Sequence, residues 1–176
     1  MFTEKHKAFT LIELLVVIAI IGLLSSIVMV SLKGARDKAK NAKRLSDIKE
    51  YATVFELAYD QNGEYPDPGD TGWHCLGDYS DNRCWRNGTS YSESSTLNNI
   101  LDDWIRLPAD ENLICGYANN PNYCYEGYIY RCVTRSGGIC TKFDVRWFMK
   151  GHNQSCGIGK IIGNYNECTY CQYTNQ

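Results

Sequence analysis

The sequence predicts an α+β protein built from one long N-terminal helix, a small antiparallel β-sheet and a cysteine-rich C-terminal region. Three observations point there. An apolar run from Phe9 to Leu32 carries a single charge, Glu13. A stripe at helical spacing continues beyond it as far as Tyr59. All nine cysteines, at positions 75, 84, 115, 124, 132, 140, 156, 168 and 171, lie beyond the helix-like N-terminal part, among aromatic and β-branched segments. With 176 residues the chain has room for one sizeable domain plus an appendage, and its net charge of −2 names no polyanionic partner.

The apolar run is 24 residues long, enough at about 1.5 Å per helical residue to cross a hydrocarbon core of about 30 Å. An ordinary secretory signal has a shorter apolar region followed by a small-residue cleavage site, whereas this run continues through Ile27, Val28, Met29 and Val30 into a charged helix. Lys5 and Lys7 precede the span, while Lys33, Arg36, Lys38, Lys40, Lys43 and Arg44 follow it. The more basic flank normally stays inside, which would put the second half in the cytoplasm. The cysteines argue the other way, because disulfides persist in an oxidising space.

Glu13 is the odd residue of the span, since a lone carboxylate deep in lipid costs about 3 kcal/mol on insertion scales. No Lys or Arg follows within three helical turns. The nearest positive charge would be an amine created by cutting the chain before Phe9. The blander alternative is a carboxyl that stays protonated or reaches the interface.

Lys7-Ala8-Phe9-Thr10-Leu11-Ile12-Glu13-Leu14-Leu15-Val16-Val17-Ile18 resembles the prepilin processing and methylation motif of type IV pilins and type II secretion pseudopilins. The resemblance implies a pilin-like fold, cleavage between Ala8 and Phe9 by the prepilin peptidase, and N-methylation of Phe9. It also implies that Glu13 pairs with the N-terminal amine of a neighbouring subunit during assembly. The chain then divides into a leader at 1–8 and a transmembrane or filament-core helix at 9–32. Gly22 matches the family and is a point where the helix loosens in a packed fibre. Ala8 stands where the family usually has Gly, and Val30 where many relatives carry Pro.

Past the span, Ala35, Ala39, Ala42, Leu45, Ile48, Ala52, Phe55 and Tyr59 recur in steps of three and four, predicting an amphipathic continuation over 33–61. Gly63 and Pro66 supply a stop. A helix from Thr10 to Gln61 would be on the order of 75 Å long, more than a domain formed by 62–176 can bury. Lipid before assembly and neighbouring helices afterwards would cover its first half. Asn62-Gly63-Glu64-Tyr65-Pro66 resembles the Asn…Tyr-Pro element that follows this helix in major pseudopilins and many pilins.

In the head, Leu97, Ile100, Leu101, Trp104 and Ile105 share one face of a short helix within 94–107. Three strands are predicted at 113–118, 123–134 and 142–150, with Phe143, Val145 and Trp147 alternating with charges and facing the long helix. Charge is unevenly spread. Lys33 to Arg44 holds six basic residues and one acidic, Glu64 to Glu111 three basic and ten acidic, and 112–176 six basic and three acidic. Complementary surfaces between copies of the chain are therefore expected, with ordinary solvated charge as the alternative.

The cysteine spacings suit local bridges Cys75–Cys84, Cys115–Cys124 and Cys132–Cys140, and because nine is odd one thiol is left over. A Cys156–Cys171 bridge would resemble the C-terminal loop of many pilins. The rival is a zinc site at His152, Cys156, Cys168 and Cys171, with two thiolates three residues apart. Asp67, Asp70, Asp78 and Asp81 offer oxygen ligands for calcium, and a solvated acidic loop is the plainer reading. The calcium site of major pseudopilins is not carried over, because the tail offers only Glu167. Five tyrosines between Tyr117 and Tyr130 would suit stacking on sugars or nucleic acid, but read more simply as sheet faces. His6, His74 and His152 have no nucleophile or carboxylate at a recognisable catalytic spacing, so no enzyme is predicted.

The expectation is a subunit of a type IV pilus-like filament, in first place a secretion pseudopilin, with a surface pilin for adhesion, motility or DNA uptake as the alternative. A membrane-anchored binding module that never polymerises and a zinc-stapled domain are the readings from other classes. No cofactor is required. The expected partners are further copies of the chain, the prepilin peptidase, an inner-membrane assembly platform, minor pilins or pseudopilins and the lipid bilayer. The leader would face the cytoplasm and the head the periplasm or exterior.

Overall fold

The computed structural model describes residues 10–79, 83–87, 90–105, 115–117, 120–125 and 127–175. It contains one long helix, α1 (Leu11–Asn62), a short helix, α2 (Ser95–Asp102), and nine strands. The chain forms two compact units, Met1–Lys40 and Asn41–Gln176.

The described part of the first unit is helical from Leu11. Many of its residues are β-branched (Val16, Val17, Ile18, Ile20, Ile21), which are indifferent helix formers in water. A helix nevertheless satisfies every backbone group within the segment, the condition a lipid environment imposes. Its large side chains are exposed throughout, from Leu11 (78%) and Ile12 (73%) to Met29 (73%). This is the one described helix long and apolar enough to cross a membrane.

In the second unit the buried face of α1 consists of Asn41, Arg44, Ile48, Tyr51, Val54, Phe55 and Ala58. It is rotated from the stripe of small and apolar residues: Ala42 is exposed and so is Tyr59, at 39%. Two polar residues, Asn41 and Arg44, lie on the buried face. The Asn41 side-chain amide donates from Nδ2 to the Lys150 carbonyl (2.8 Å), and its Oδ1 accepts from the Lys150 backbone N–H (2.9 Å), so one side chain satisfies both backbone groups at the end of a strand. We expect Asn41→Ala to destabilise the unit by about 2 kcal/mol, since it strands both partners. Chemical denaturation of the detergent-solubilised chain, followed by tryptophan fluorescence, measures this. A loss of a few tenths of a kcal/mol would reject the clamp.

Helix α1 ends at Asn62 because Gly63 takes a left-handed φ of +76° while its N–H still reaches the Tyr59 carbonyl (2.8 Å). The Tyr65-Pro66 element then fastens the exit. Tyr65 N–H donates to the Cys140 carbonyl, its hydroxyl to Glu56, and the Pro66 carbonyl accepts from the buried Tyr130 hydroxyl at 2.5 Å. Helix α2 is capped by Ser94, whose side chain accepts from Leu97 N–H, and it buries Leu97 and Leu101.

The strands are β1 (His74–Leu76), β2 (Arg83–Asn87), β3 (Ser90–Ser92), β4 (Cys115–Tyr117), β5 (Asn120–Tyr125), β6 (Tyr128–Ser136), β7 (Ile139–Lys150), β8 (Lys160–Tyr165) and β9 (Cys168–Thr174). They make two antiparallel sheets, ordered β1-β6-β7-β9-β8 and β3-β2-β5-β4. The sheet content therefore exceeds the three strands expected. Gly127, at φ +58°, breaks the predicted strand 123–134 into β5 and β6, which lie in different sheets. A Cβ there would fall 1.7 Å from the Tyr79 hydroxyl, so the site needs glycine.

The first sheet is covered on both faces. Tyr128, Tyr130, Phe143, Val145 and Trp147 pack in one core with Ile48, Tyr51 and Phe55 of α1, while Ile129 and Phe148 join Tyr79, Trp85 and Cys75 in a second. Phe55 sits 4.9 Å from Phe143 and 5.0 Å from Tyr130, ring centre to ring centre. Two-sided burial is why β6 and β7 contain unbroken apolar runs such as Tyr128-Ile129-Tyr130 and Trp147-Phe148-Met149.

Candidate functional site

The segment most unlike a soluble protein is the start of α1. Thr10 precedes the first helical residue, and Glu13 lies three positions on. The Thr10 backbone N–H and hydroxyl both donate to Glu13 Oε2 at 2.8 Å, and Glu13 N–H donates back to Thr10 Oγ1 at 3.3 Å. This reciprocal pair is a capping box, which satisfies donors that a helix start leaves without partners. The pattern Thr-x-x-Glu before an apolar run is readable in the sequence, and it gives Glu13 a capping role beside the charge partner and the protonated or interfacial carboxyl expected for it. Ala8 and Phe9, the residues of the predicted cut, lie outside the described residues.

The cysteines pair as Cys75–Cys84, Cys132–Cys140, Cys156–Cys171 and Cys115–Cys168. The last corrects the expected Cys115–Cys124 bridge. Its physical reason is sheet stacking: Cys115 on β4 and Cys168 on β9 meet in the buried cluster between the two sheets. Within the second sheet it is Gly116, not Cys115, that stands opposite Cys124. The same bonds correct the zinc alternative, because Cys156, Cys168 and Cys171 are all engaged as disulfides, and His152 bonds the Asn166 carbonyl.

The calcium alternative fares similarly. Asp67 accepts from Gly69 N–H and pairs with Arg135, while Asp70 accepts from Gly72 N–H and bonds His74 at 2.8 Å. Asp78 is exposed, Asp81 lies outside the described residues, and no group of three potential metal ligands occurs among the described residues. The hydrogen bond from His74 holds the Asp70 carboxyl below its usual range. Its contribution to stability is therefore present near neutrality and is lost as pH falls through that lowered value.

Of the tyrosines expected on sheet faces, Tyr128 and Tyr130 are fully buried and offer no stacking surface. The side chains of Tyr117, Tyr123 and Tyr125 lie outside those described. One feature of the first sheet escaped sequence reading. The Trp73 ring lies against two guanidinium groups, Arg131 at 4.5 Å and Arg146 at 4.3 Å, and Arg131 pairs with the buried Asp144 at 2.8 Å. Arg146 is legible in the sequence as a charged position of the alternating strand 142–150, whereas Trp73 comes from a distant loop.

The charge asymmetry survives in part. Lys33, Arg36, Lys38 and Lys40 are exposed, Lys43 pairs with Asp47 at 3.7 Å, and Arg44 is buried. On the acidic side Asp67, Asp70 and Glu93 are engaged within the head, whereas Asp78, Asp102 and Asp103 are exposed.

Comparison with known proteins places the recognisable part of the chain at this same end. The prokaryotic N-terminal methylation motif matches residues 4–29. Type II secretion system core protein G of Escherichia coli is 41% identical over 64 residues, 36% of this chain and 44% of that protein. The corresponding proteins of Klebsiella michiganensis and Vibrio cholerae are 38% and 36% identical over 63 residues. The match to K. michiganensis covers 36% of this chain and 44% of that protein; the match to V. cholerae covers 36% and 43%. The chain thus spans less than half the length of the curated relatives it matches. No solved structure matches it significantly.

Proposed function

From the premise of a prepilin-type N-terminus similar to that of secretion pseudopilins, joined to a disulfide-bonded head outside the matched region, we propose that this chain is a structural subunit of a type IV pilus-like filament, most closely a type II secretion pseudopilin. Residues 1–8 are removed between Ala8 and Phe9 by the prepilin peptidase, Phe9 is N-methylated, and the subunit waits in the inner membrane with its head on the oxidising side. An assembly platform then extracts it into a homopolymer with minor pseudopilins. The apolar part of α1 passes from lipid to a core of neighbouring helices.

The observation that carries this reading is the first unit itself. A fully exposed apolar helix bearing one carboxylate in its first turn is unstable in water, stable in lipid, and stable again when copies of itself surround it. Four disulfides in the second unit support the oxidising location.

Processing is tested by co-expressing the full chain with a prepilin peptidase and taking the mass of the membrane form. The expected product begins at N-methylated Phe9. A chain that keeps residues 1–8 beside an active peptidase would overturn the processing step.

A further inference from the structure

The second unit carries two exposed surfaces of opposite character. The first is β8, one edge of the five-stranded sheet. Ile158, Ile161, Ile162 and Tyr165 on and beside it are 43%, 46%, 37% and 50% exposed. The strand borders a cleft of about 480 Å³ lined in part by Tyr65, Tyr173, Lys160 and Glu56, whose carboxylate accepts from the Tyr65 hydroxyl at 3.0 Å. From Val145 to Asn166 the chain has no carboxylate, and no ion-pair partner meets Lys160 among the described residues. A bulge between Ile161 and Gly163 interrupts its register with β9, so the strand offers apolar side chains rather than a straight ladder for another strand.

The second surface lies where α1 and α2 both end. A cleft of about 380 Å³ there is lined by Gln61, Asn62, Ile100, Asp103 and Trp104, none of which lines the first cleft. Neither helix has a basic residue in its last turn, and α2 finishes in the exposed carboxylates Asp102 and Asp103. Helix C-termini favour cations, so among the described residues this surface is short of positive charge, and the partly buried Ile100 and Trp104 give it an apolar floor, Trp104 resting against the core.

We propose that these two surfaces bind each other between copies of the chain, the β8 edge with Lys160 on one copy seating on the α1/α2 end with Asp103 on the next. The inference rests on the filament reading and names a head-to-head contact within it. Each copy offers one surface of each kind, so the contact is heterologous, the type that runs from copy to copy as an open filament needs, rather than a two-fold dimer contact. Charge complementarity sets its register, and the isoleucines and Trp104 supply the buried area.

The test uses the full chain in a host that assembles fibres. A benzophenone photo-cross-linker replacing Ile161 should join a second copy within the segment from Gln61 to Trp104. Lys160→Glu and Asp103→Lys should each lower the yield of sheared fibres by about tenfold, and the double exchange should restore it to within about threefold of the unsubstituted chain. Leader removal and disulfide content should stay unchanged in all variants. Undiminished fibres from both single variants, or cross-links only to other proteins, would overturn this contact and leave the filament reading standing. Failure of the unsubstituted chain to form any fibre would overturn both.

Discussion

Replacing Glu13 by alanine abolishes fibre formation or reduces it at least about tenfold, while the chain still inserts into the membrane, because the substitution removes a charge that costs about 3 kcal/mol in lipid and leaves the apolar span intact. Two roles for that carboxylate have to be separated. It closes the capping box with Thr10, and it is the one charge available to a neighbouring subunit within the apolar run. Glutamine preserves the capping box, since Gln serves as well as Glu at that position, but it carries no charge. The two-role account therefore predicts that Glu13→Gln fails to assemble as badly as Glu13→Ala, with both inserted normally. Fibres of normal length from Glu13→Gln would reduce the residue to a helix cap and sink the pairing argument. Electron microscopy of sheared fibres, with membrane fractionation as the insertion control, reads the result.

The second large effect is expected from Cys115–Cys168, the one with the longer loop of two bridges that run between the sheets, the other being Cys75–Cys84. Cys115 and Cys168 are 53 residues apart in sequence, and closing a loop of that size restrains the unfolded chain by about 4 kcal/mol in the loop-entropy account. The Cys75–Cys84 bridge, with a separation of 9, is worth about 2.7 kcal/mol on the same scale. We expect the double variant Cys115→Ala/Cys168→Ala to melt about 12 °C lower, at about 3 °C per kcal/mol for a domain of this size. The Cys75→Ala/Cys84→Ala pair should lose about 8 °C by the same conversion. Thermal scans of the detergent-solubilised, non-reduced chain measure both. Equal losses from the two pairs, together with a Cys115–Cys124 peptide in a non-reducing digest, would show that β4 is not tied to β9.

Much of the long helix was legible because its signals are local. The apolar run, the three-and-four spacing and Gly63 each concern a few consecutive residues, and α1 ends at Asn62 within one residue of the expected boundary. The capping box of Thr10 and Glu13 is equally local, a Thr-x-x-Glu pattern directly before the apolar run. The glycine pair Gly137-Gly138, both at positive φ, marks the β6–β7 turn, and Asn166 at φ +50° begins the two-residue turn between β8 and β9. The second of these hairpins could have been predicted from Lys160-Ile161-Ile162 and its turn.

What sequence reasoning missed involves partners far apart in the chain. Asn41 and Arg44 read as surface residues on a basic segment, yet they are buried, and Asn41 is so because the end of β7, over a hundred residues on, presents two backbone groups to it. Cys115 had a plausible partner nine residues away and found another on β9.

The sequence by itself determined the long helix with its apolar run, its lone carboxylate and the cysteine-rich character of the head, since hydrophobic periodicity, an isolated charge and cysteine density need no knowledge of the fold. Only the tertiary structure decided which cysteines bond, which face of α1 is buried and where the β8 edge and the α1/α2 end remain open. Those depend on how two sheets and two helices stack, and pairings across a stack leave no trace in residue spacing along the chain.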